Sequence, residues 1–201
     1  MNDAAAAVLV LGGTGRTGSR IGQALTEQGV AARTASRHGG HVRFDWDDPQ
    51  TYRPALDGAD RVYLVPPTMR VRFADPVAAF LDVAVDAGVR HVTLLSAHGA
   101  DRAPSVIDLA AVEKVVAELA SITHTILRPA WVMQNFTDEH LPLLDDTLAA
   151  PSGGGAEAFV DADDIAAVAV RTLLEPAAHD GATYALTGPT ALTFTQVVEI
   201  I

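Results

Sequence analysis

Residues 8–21, VLVLGGTGRTGSRI, constrain the fold more than any other stretch, because four apolar residues run into a glycine-rich turn and then into a helix start. The glycines fit two overlapping spacings. Gly13, Gly15 and Gly18 match G-x-G-x-x-G, and Gly12 with the last two matches G-x-x-G-x-x-G. Such glycines permit a tight turn, a close approach of the backbone to a pyrophosphate, and close packing of helix on strand. The stretch predicts a dinucleotide site, and a turn that binds nothing is the alternative.

The rest of the chain alternates short apolar runs with helical periodicity. Strands are predicted at residues 8–11, 31–36, 42–44, 61–65, 91–95, 123–127 and 184–186, and helices at residues 17–28, 51–56, 74–87, 107–120, 165–174 and 193–201. This alternation is typical of an α/β fold, a Rossmann-like doubly wound parallel sheet with helices on both faces. Its ligand lies at the switch point above strands one and four.

We expect one domain over residues 1–201, in which residues 131–158 and 180–201 contribute a small substrate-side region. The last predicted helix stops on apolar residues without a cap. Either this helix docks on the domain, or the chain is a shortened piece of a longer protein and the substrate region is truncated.

Composition excludes several classes of function. The chain has no cysteine, so disulfides, thiolate catalysis and cysteine-based zinc sites are excluded. Its formal net charge is −11, whereas nucleic-acid surfaces are usually basic, so we expect no nucleic-acid partner. No apolar run is long enough for a membrane span, and no signal peptide is apparent, which favours the cytoplasm. The acidic residues 161–164 suit a helix start better than a metal site, and we predict no metal.

The residues after the second strand decide which nucleotide binds. A carboxylate there would accept the ribose 2′-OH of NAD, whereas an arginine accommodates the 2′-phosphate of NADP. The chain has Ser36 and Arg37 at this point and no carboxylate. Arg37 therefore favours NADP, and Arg16 in the glycine loop could reach the same phosphate. A solvated loop arginine is the alternative for Arg37.

Further candidates follow the later strands. Asp45 could accept from the adenine amino group with Trp46 packed nearby, or this cluster could cap the next helix. The loop that begins with Pro66 and Pro67 lies where the nicotinamide ribose is expected. Ser96, at the end of strand five, contacts cofactor or substrate, or it caps its loop.

The alternation of strands and helices breaks down at residues 131–157, which leave the sheet at its active edge. Trp131, Met133 and Phe136 are candidates for a substrate wall, and a satellite core is the alternative.

No tyrosine of the chain begins a Tyr-x-x-x-Lys sequence, because Leu56, Pro67 and Gly188 stand four residues after the three tyrosines. The tyrosine–lysine pair that protonates an alkoxide in many dinucleotide reductases is therefore missing. Hydride addition to an iminium ion needs no proton, and a quinone can take its proton from water. The sequence favours a small-molecule acceptor that is already electrophilic, and it identifies no catalytic residue.

The chain resembles the atypical short-chain dehydrogenases of the NmrA-like group in VLVLGGTGRTGSRI, TLLSA, HTILRPAWVMQNF and FVDADDIAAVAV. In SRHGG, FDWDDPQTY, PAL and VYLVPPT it is similar to the branch of festuclavine and agroclavine dehydrogenases. The fungal enzymes of this branch use NADPH and reduce an iminium, which agrees with the missing proton donor. The resemblance implies NADPH as cofactor, but the substrate does not carry over, because bacterial relatives need not make ergot alkaloids. Because the group includes regulators, a non-catalytic NADP sensor that binds a partner protein is the alternative, and a homodimer is also open.

The resemblance also implies site residues. It implies cofactor contacts at Gly12, Thr14, Gly15, Arg16, Thr17, Gly18, Ser36, Arg37, Asp45, Val65 and Pro66. The segment from Pro129 to Asn135 would border nicotinamide and substrate. Two departures stand out: residues 100–113 lack the His or Lys that some relatives use, and family members usually continue well past LTGPTALTFTQVVEII.

Overall fold

Seven parallel strands form the main sheet of the computed structural model, which describes residues 7–67, 70–104, 107–136 and 153–200. In chain order the elements are β1 (Ala7–Leu11), α1 (Arg16–Glu27), β2 (Ala32–Ser36), β3 (Val42–Arg43), α2 (Tyr52–Leu56), β4 (Ala59–Leu64), α3 (Ala74–Ala87), β5 (His91–Leu95), α4 (Leu109–Ala117), β6 (Thr123–Pro129), β7 (Ala156–Glu157), α5 (Ala162–Leu174), α6 (Pro176–His179), β8 (Ala182–Leu186), β9 (Leu192–Thr193) and α7 (Phe194–Val198). Short 3-10 turns occupy Pro49–Thr51, Ala100–Arg102 and Met133–Phe136.

The strand order is β3-β2-β1-β4-β5-β6-β8, and every neighbouring pair is parallel. β1 pairs with β2 on one side and with β4 on the other. The winding therefore reverses between β1 and β4, which confirms the predicted doubly wound sheet and its switch point.

The core explains why β1 is apolar along its whole length. Leu9 and Leu11 pack with residues of α2, α3 and α4 on one face of the sheet. Val8 and Val10 pack with residues of α1 and α5 on the other. Because successive strand residues point to opposite faces, a strand buried on both sides needs an unbroken apolar run. Each of these side chains is fully buried, which contributes about 1.5–3 kcal/mol per residue.

The last part of the chain contributes to two sheets. Residues 182–186 form β8 at the edge of the main sheet, and the contribution of residues 180–201 to a substrate-side region stays a prediction. The strand pairs with β6 through Pro129, which extends β6 beyond the predicted 123–127. A separate antiparallel pair, β7 and β9, lies beside a cluster that contains Phe136, Phe159 and Phe194.

Most other differences lie at element ends. α4 is shorter than the predicted helix over 107–120, and α5 begins earlier than predicted, at Ala162. Asp161 caps α5, since its carboxylate accepts from the backbone N–H of Asp163 at 2.7 Å, which confirms the helix start in the acidic segment. No helix in the described part of the chain is long and apolar enough to cross a membrane.

Candidate functional site

Steric contacts explain why the loop after β1 needs its glycines. Gly12 has a φ of 64°, a left-handed conformation that suits glycine. A Cβ on Gly13 would lie 2.4 Å from the Cβ of Thr34, and one on Gly18 would lie 2.2 Å from the carbonyl oxygen of Gly12. The first contact brings the loop against β2, and the second brings the helix against the loop. Glycine at these positions therefore serves the close packing that the motif predicts.

The start of α1 is open to an anion. Gly15 is the N-cap residue without a side-chain cap, and the first turn has no acidic residue. Among the described residues, no backbone carbonyl accepts from the N–H groups of Thr17 and Gly18. Thr14 and Gly15 are exposed just before the helix. Such N–H groups at a helix N-terminus, preceded by a glycine without a side chain, fit a pyrophosphate.

Beneath the loop, the Thr17 hydroxyl accepts a hydrogen bond from the Tyr63 hydroxyl at 3.0 Å. Both side chains are buried, and burial raises the pKa of Tyr63. Tyr63 therefore supports the loop from the sheet, and the Thr17 hydroxyl, which accepts this bond, keeps its own proton to donate.

Arg16 connects the glycine loop to the segment after β6. Its guanidinium donates to the side-chain carbonyl of Asn135, a predicted substrate residue. One turn further along the helix, Arg20 pairs with Asp163 at the start of α5. The structure therefore brings a predicted cofactor residue and a predicted substrate residue together, on the side of the loop away from β2.

Ser36 and Arg37 lie at the end of β2, where the sequence predicts the adenosine ribose of the bound dinucleotide. The Ser36 hydroxyl donates to the His38 carbonyl at 2.5 Å. Arg37 is exposed and forms no hydrogen bond or ion pair with any described residue. It lies near Asp47, whose pKa is lowered mainly by a hydrogen bond from Arg70 and further by the Arg37 charge. The Arg37 guanidinium is available to a phosphate.

The segment after β3 is ordered by its own acidic residues. Asp48, and not Asp45, caps the following turn, because its side chain accepts from the N–H of Gln50. The Asp45 carboxylate accepts from the N–H of Asp47 at 3.1 Å. Trp46 packs edge-on against Phe44 with ring centroids 4.9 Å apart, and this packing joins it to the core. Contacts of Asp45 and Trp46 with adenine remain predictions.

A cavity of about 210 Å³ opens at the carboxyl ends of β4 and β5. Its walls are mostly apolar and come from the loop after β4, the end of β5 and the start of α4: Val65, Pro66, Pro67, Arg70, Phe73, Leu95, Ser96, Ile107 and Leu109. A Cβ on Gly12 would lie 3.7 Å from Val65, so the cavity adjoins the glycine loop. Among the described residues, Arg70 is the only charged one in the wall, and it pairs with Asp47.

Sequence reasoning missed the partner of Ser96, which is Glu113. The Ser96 hydroxyl donates to a carboxylate oxygen of Glu113. Arg128 donates to both oxygens of the same carboxylate, at 3.0 and 2.6 Å. The available signal was helical spacing, because Glu113 shares the buried stripe of α4 with Val112 and Val116. An acid in such a stripe requires a cation, and Arg128 supplies one from the end of β6.

The predicted substrate wall divides into exposed and buried parts. Trp131 and Met133 are 39% and 43% exposed, whereas Phe136 is buried with Phe159 and Phe194. The satellite-core alternative therefore describes the position of Phe136. Pro129 is buried, and its carbonyl accepts from the N–H of His98, which ties the loop after β5 to β6. Substrate contacts of Trp131, Met133, Asn135 and Phe136, and the cofactor contact of Pro129, remain predictions.

The doubly wound sheet, the glycine loop at its switch point and the open helix start define a Rossmann-type dinucleotide-binding protein. Residues 12–176 match the NAD(P)H-binding family, and the chain belongs to that family.

Named relatives place the chain among oxidoreductases. It is 36% identical to the oxidoreductase YesF of Bacillus subtilis, over 96% of this chain and 69% of the relative. It is 32% identical to agroclavine dehydrogenase of Claviceps fusiformis, over 96% and 72% of the two chains. The NADPH-dependent quinone oxidoreductase of Escherichia coli, solved with NADPH, superposes with a TM-score of 0.72 at 26% identity, over 94% and 72% of the chains. The protein is accordingly an NAD(P)H-binding oxidoreductase, as the resemblance implied.

Proposed function

We propose that this protein reduces an activated small-molecule acceptor, such as an iminium ion or a quinone, with NADPH as the hydride source. When bound, the reduced cofactor supplies the hydride. The backbone N–H groups of Thr17 and Gly18 would hold the pyrophosphate, and Arg37 would hold the 2′-phosphate. The nicotinamide would then extend from the loop toward the cavity beside Ser96.

The observation that carries the proposal is the chemistry of this cavity. Within the described part of the chain, no Tyr, His, Lys, Asp or Glu lines it. Its one described hydroxyl, on Ser96, directs its proton to Glu113. A ketone would need a proton as its alkoxide forms, and the described residues of the walls offer none. An acceptor that becomes neutral on hydride addition, or that takes a proton from water, suits the site.

The printed name of one structural neighbour, the quinone oxidoreductase of Escherichia coli, agrees with this class of acceptor. Arg37 supports NADPH over NADH, because a guanidinium without a partner among the described residues can form a charge-assisted hydrogen bond to the 2′-phosphate.

The test follows NADPH absorbance with three acceptors of similar size: a para-quinone, a cyclic iminium ion and an unactivated cyclic ketone. We expect oxidation of NADPH with the quinone or the iminium and none with the ketone. Reduction of the ketone at a comparable rate would contradict the proposal. If no acceptor were reduced and NADPH and NADP bound equally well, the sensor that binds a partner protein would be favoured instead.

A further inference from the structure

A buried network lies directly behind the cavity wall. Glu113 is 6% exposed and accepts one hydrogen bond from Ser96 and two from Arg128. The other face of the Arg128 guanidinium lies 3.5 Å from the Asp101 carboxylate. A buried carboxylate is stable only with such partners, and the ion pair raises the pKa of Arg128.

This network fixes the direction of the Ser96 hydrogen bond. A carboxylate that is paired with a guanidinium only accepts hydrogen bonds, so the single proton of Ser96 points to Glu113. The Ser96 hydroxyl has no second hydrogen bond within the described residues. Because Ser96 lines the cavity, its lone pairs are left for a donor in the cavity.

We infer that Ser96 is a hydrogen-bond acceptor for the carboxamide N–H group of the nicotinamide, and that Glu113 and Arg128 are positioning residues for it. The inference rests on the proposed function. It follows from the position of the cavity, which adjoins the glycine loop on the β4 and β5 side, whereas Arg37 lies on the β2 side. A dinucleotide held at both its phosphates and its 2′-phosphate directs its nicotinamide to this side.

The experiment compares three nucleotides by titration calorimetry. NADP has the carboxamide, its 3-acetylpyridine analogue has a methyl ketone there and cannot donate, and adenosine 2′,5′-bisphosphate lacks the nicotinamide half. Wild-type protein should bind NADP about 3- to 10-fold more tightly than the analogue, the scale for one hydrogen bond. Ser96→Ala should bind the two within twofold, and Ser96→Thr should restore the preference.

Glu113→Gln tests the positioning role, because an amide also donates and no longer fixes the Ser96 proton. It should reduce the preference for NADP over the analogue and leave adenosine 2′,5′-bisphosphate binding at the wild-type level. A merely structural role would lower the unfolding midpoint without changing the preference.

Two results would overturn the inference. If Ser96→Ala and Glu113→Gln kept the wild-type preference while binding the bisphosphate normally, Ser96 would not contact the carboxamide, and the proposed function would stand. If the wild-type protein bound none of the three nucleotides, the inference and the proposed function would both fail.

Discussion

Replacing Gly18 with alanine tests whether the shape of the glycine loop sets nucleotide affinity. The new Cβ would lie 2.2 Å from the carbonyl oxygen of Gly12 and 2.7 Å from its carbonyl carbon, where ordinary contacts are 3.4 Å or longer. Both atoms are backbone, so the loop must move by about 1 Å. Overpacking of this kind costs about 1–3 kcal/mol, against about 1 kcal/mol that alanine gains over glycine inside a helix.

The displaced loop should lose one of its hydrogen bonds to a charged phosphate, which costs about 1.5–3 kcal/mol, or about 10- to 150-fold in affinity. Gly22→Ala is the matched control on the same helix. Its Cβ would lie 2.8 Å from the γ-methyl carbon of Thr34 on β2 and within 4 Å of no atom of the loop. We expect it to lose stability, because the β-branched Thr34 side chain is stiff, and to keep NADPH affinity closer to wild type than Gly18→Ala does.

NADPH titration and urea unfolding of both variants provide the assay. Wild-type affinity in Gly18→Ala, together with an unchanged unfolding midpoint, would refute the steric argument. Equal losses in Gly18→Ala and Gly22→Ala would show that helix packing and not the loop is responsible.

Three further predictions concern stability. Burial lowers the pKa of His91 to about 4, so as the pH falls the unfolded state binds a proton at this histidine before the folded state does. The free energy of unfolding should therefore fall by about 2 kcal/mol from pH 7.5 to 5. His91→Gln should flatten this pH dependence in urea unfolding, and an unchanged slope would contradict the assignment. Tyr63→Phe should lower the free energy of unfolding by about 1 kcal/mol, because the hydrogen bond to Thr17 is lost. A melting temperature equal to that of the wild type, measured by calorimetry, would exclude that role. Asp108→Asn should lower the melting temperature, because its carboxylate accepts from the N–H groups that begin α3, and an unchanged or higher melting temperature would count against this cap.

The sequence predicted the features that depend on local patterns. The unbroken apolar run of β1 follows from burial on both faces, and Gly18 follows from a contact within one strand–turn–helix unit, whereas Gly13 also faces Thr34 of β2. α3 and β5 have the predicted boundaries. The end of α3 was predictable because Gly88 caps it in a left-handed conformation, with a φ of 87°. These signals lie within a few residues of the elements that they specify.

Features that need distant residues were not predicted. Glu113 meets Ser96 only when α4 packs beside β5 and β6, and the Arg128 ion pair depends on the same packing. The cluster of Phe136, Phe159 and Phe194 joins three separate segments, so single positions gave no sign that Phe136 is buried. A strand was predicted at residues 184–186, but its place at the sheet edge depends on pairing with the distant strand β6.

The most direct test of the account titrates the protein with NADPH, NADP, NADH and NAD. Arg37→Ser and Arg171→Ser are compared with wild type, because Arg171 is an exposed arginine at the other end of α5 from the loop. The account predicts tighter binding of the phosphorylated pair, a loss of about 5- to 150-fold for that pair alone in Arg37→Ser, and no change in Arg171→Ser. Equal losses for all four nucleotides in Arg37→Ser, or no binding of any of them by the wild-type protein, would contradict it.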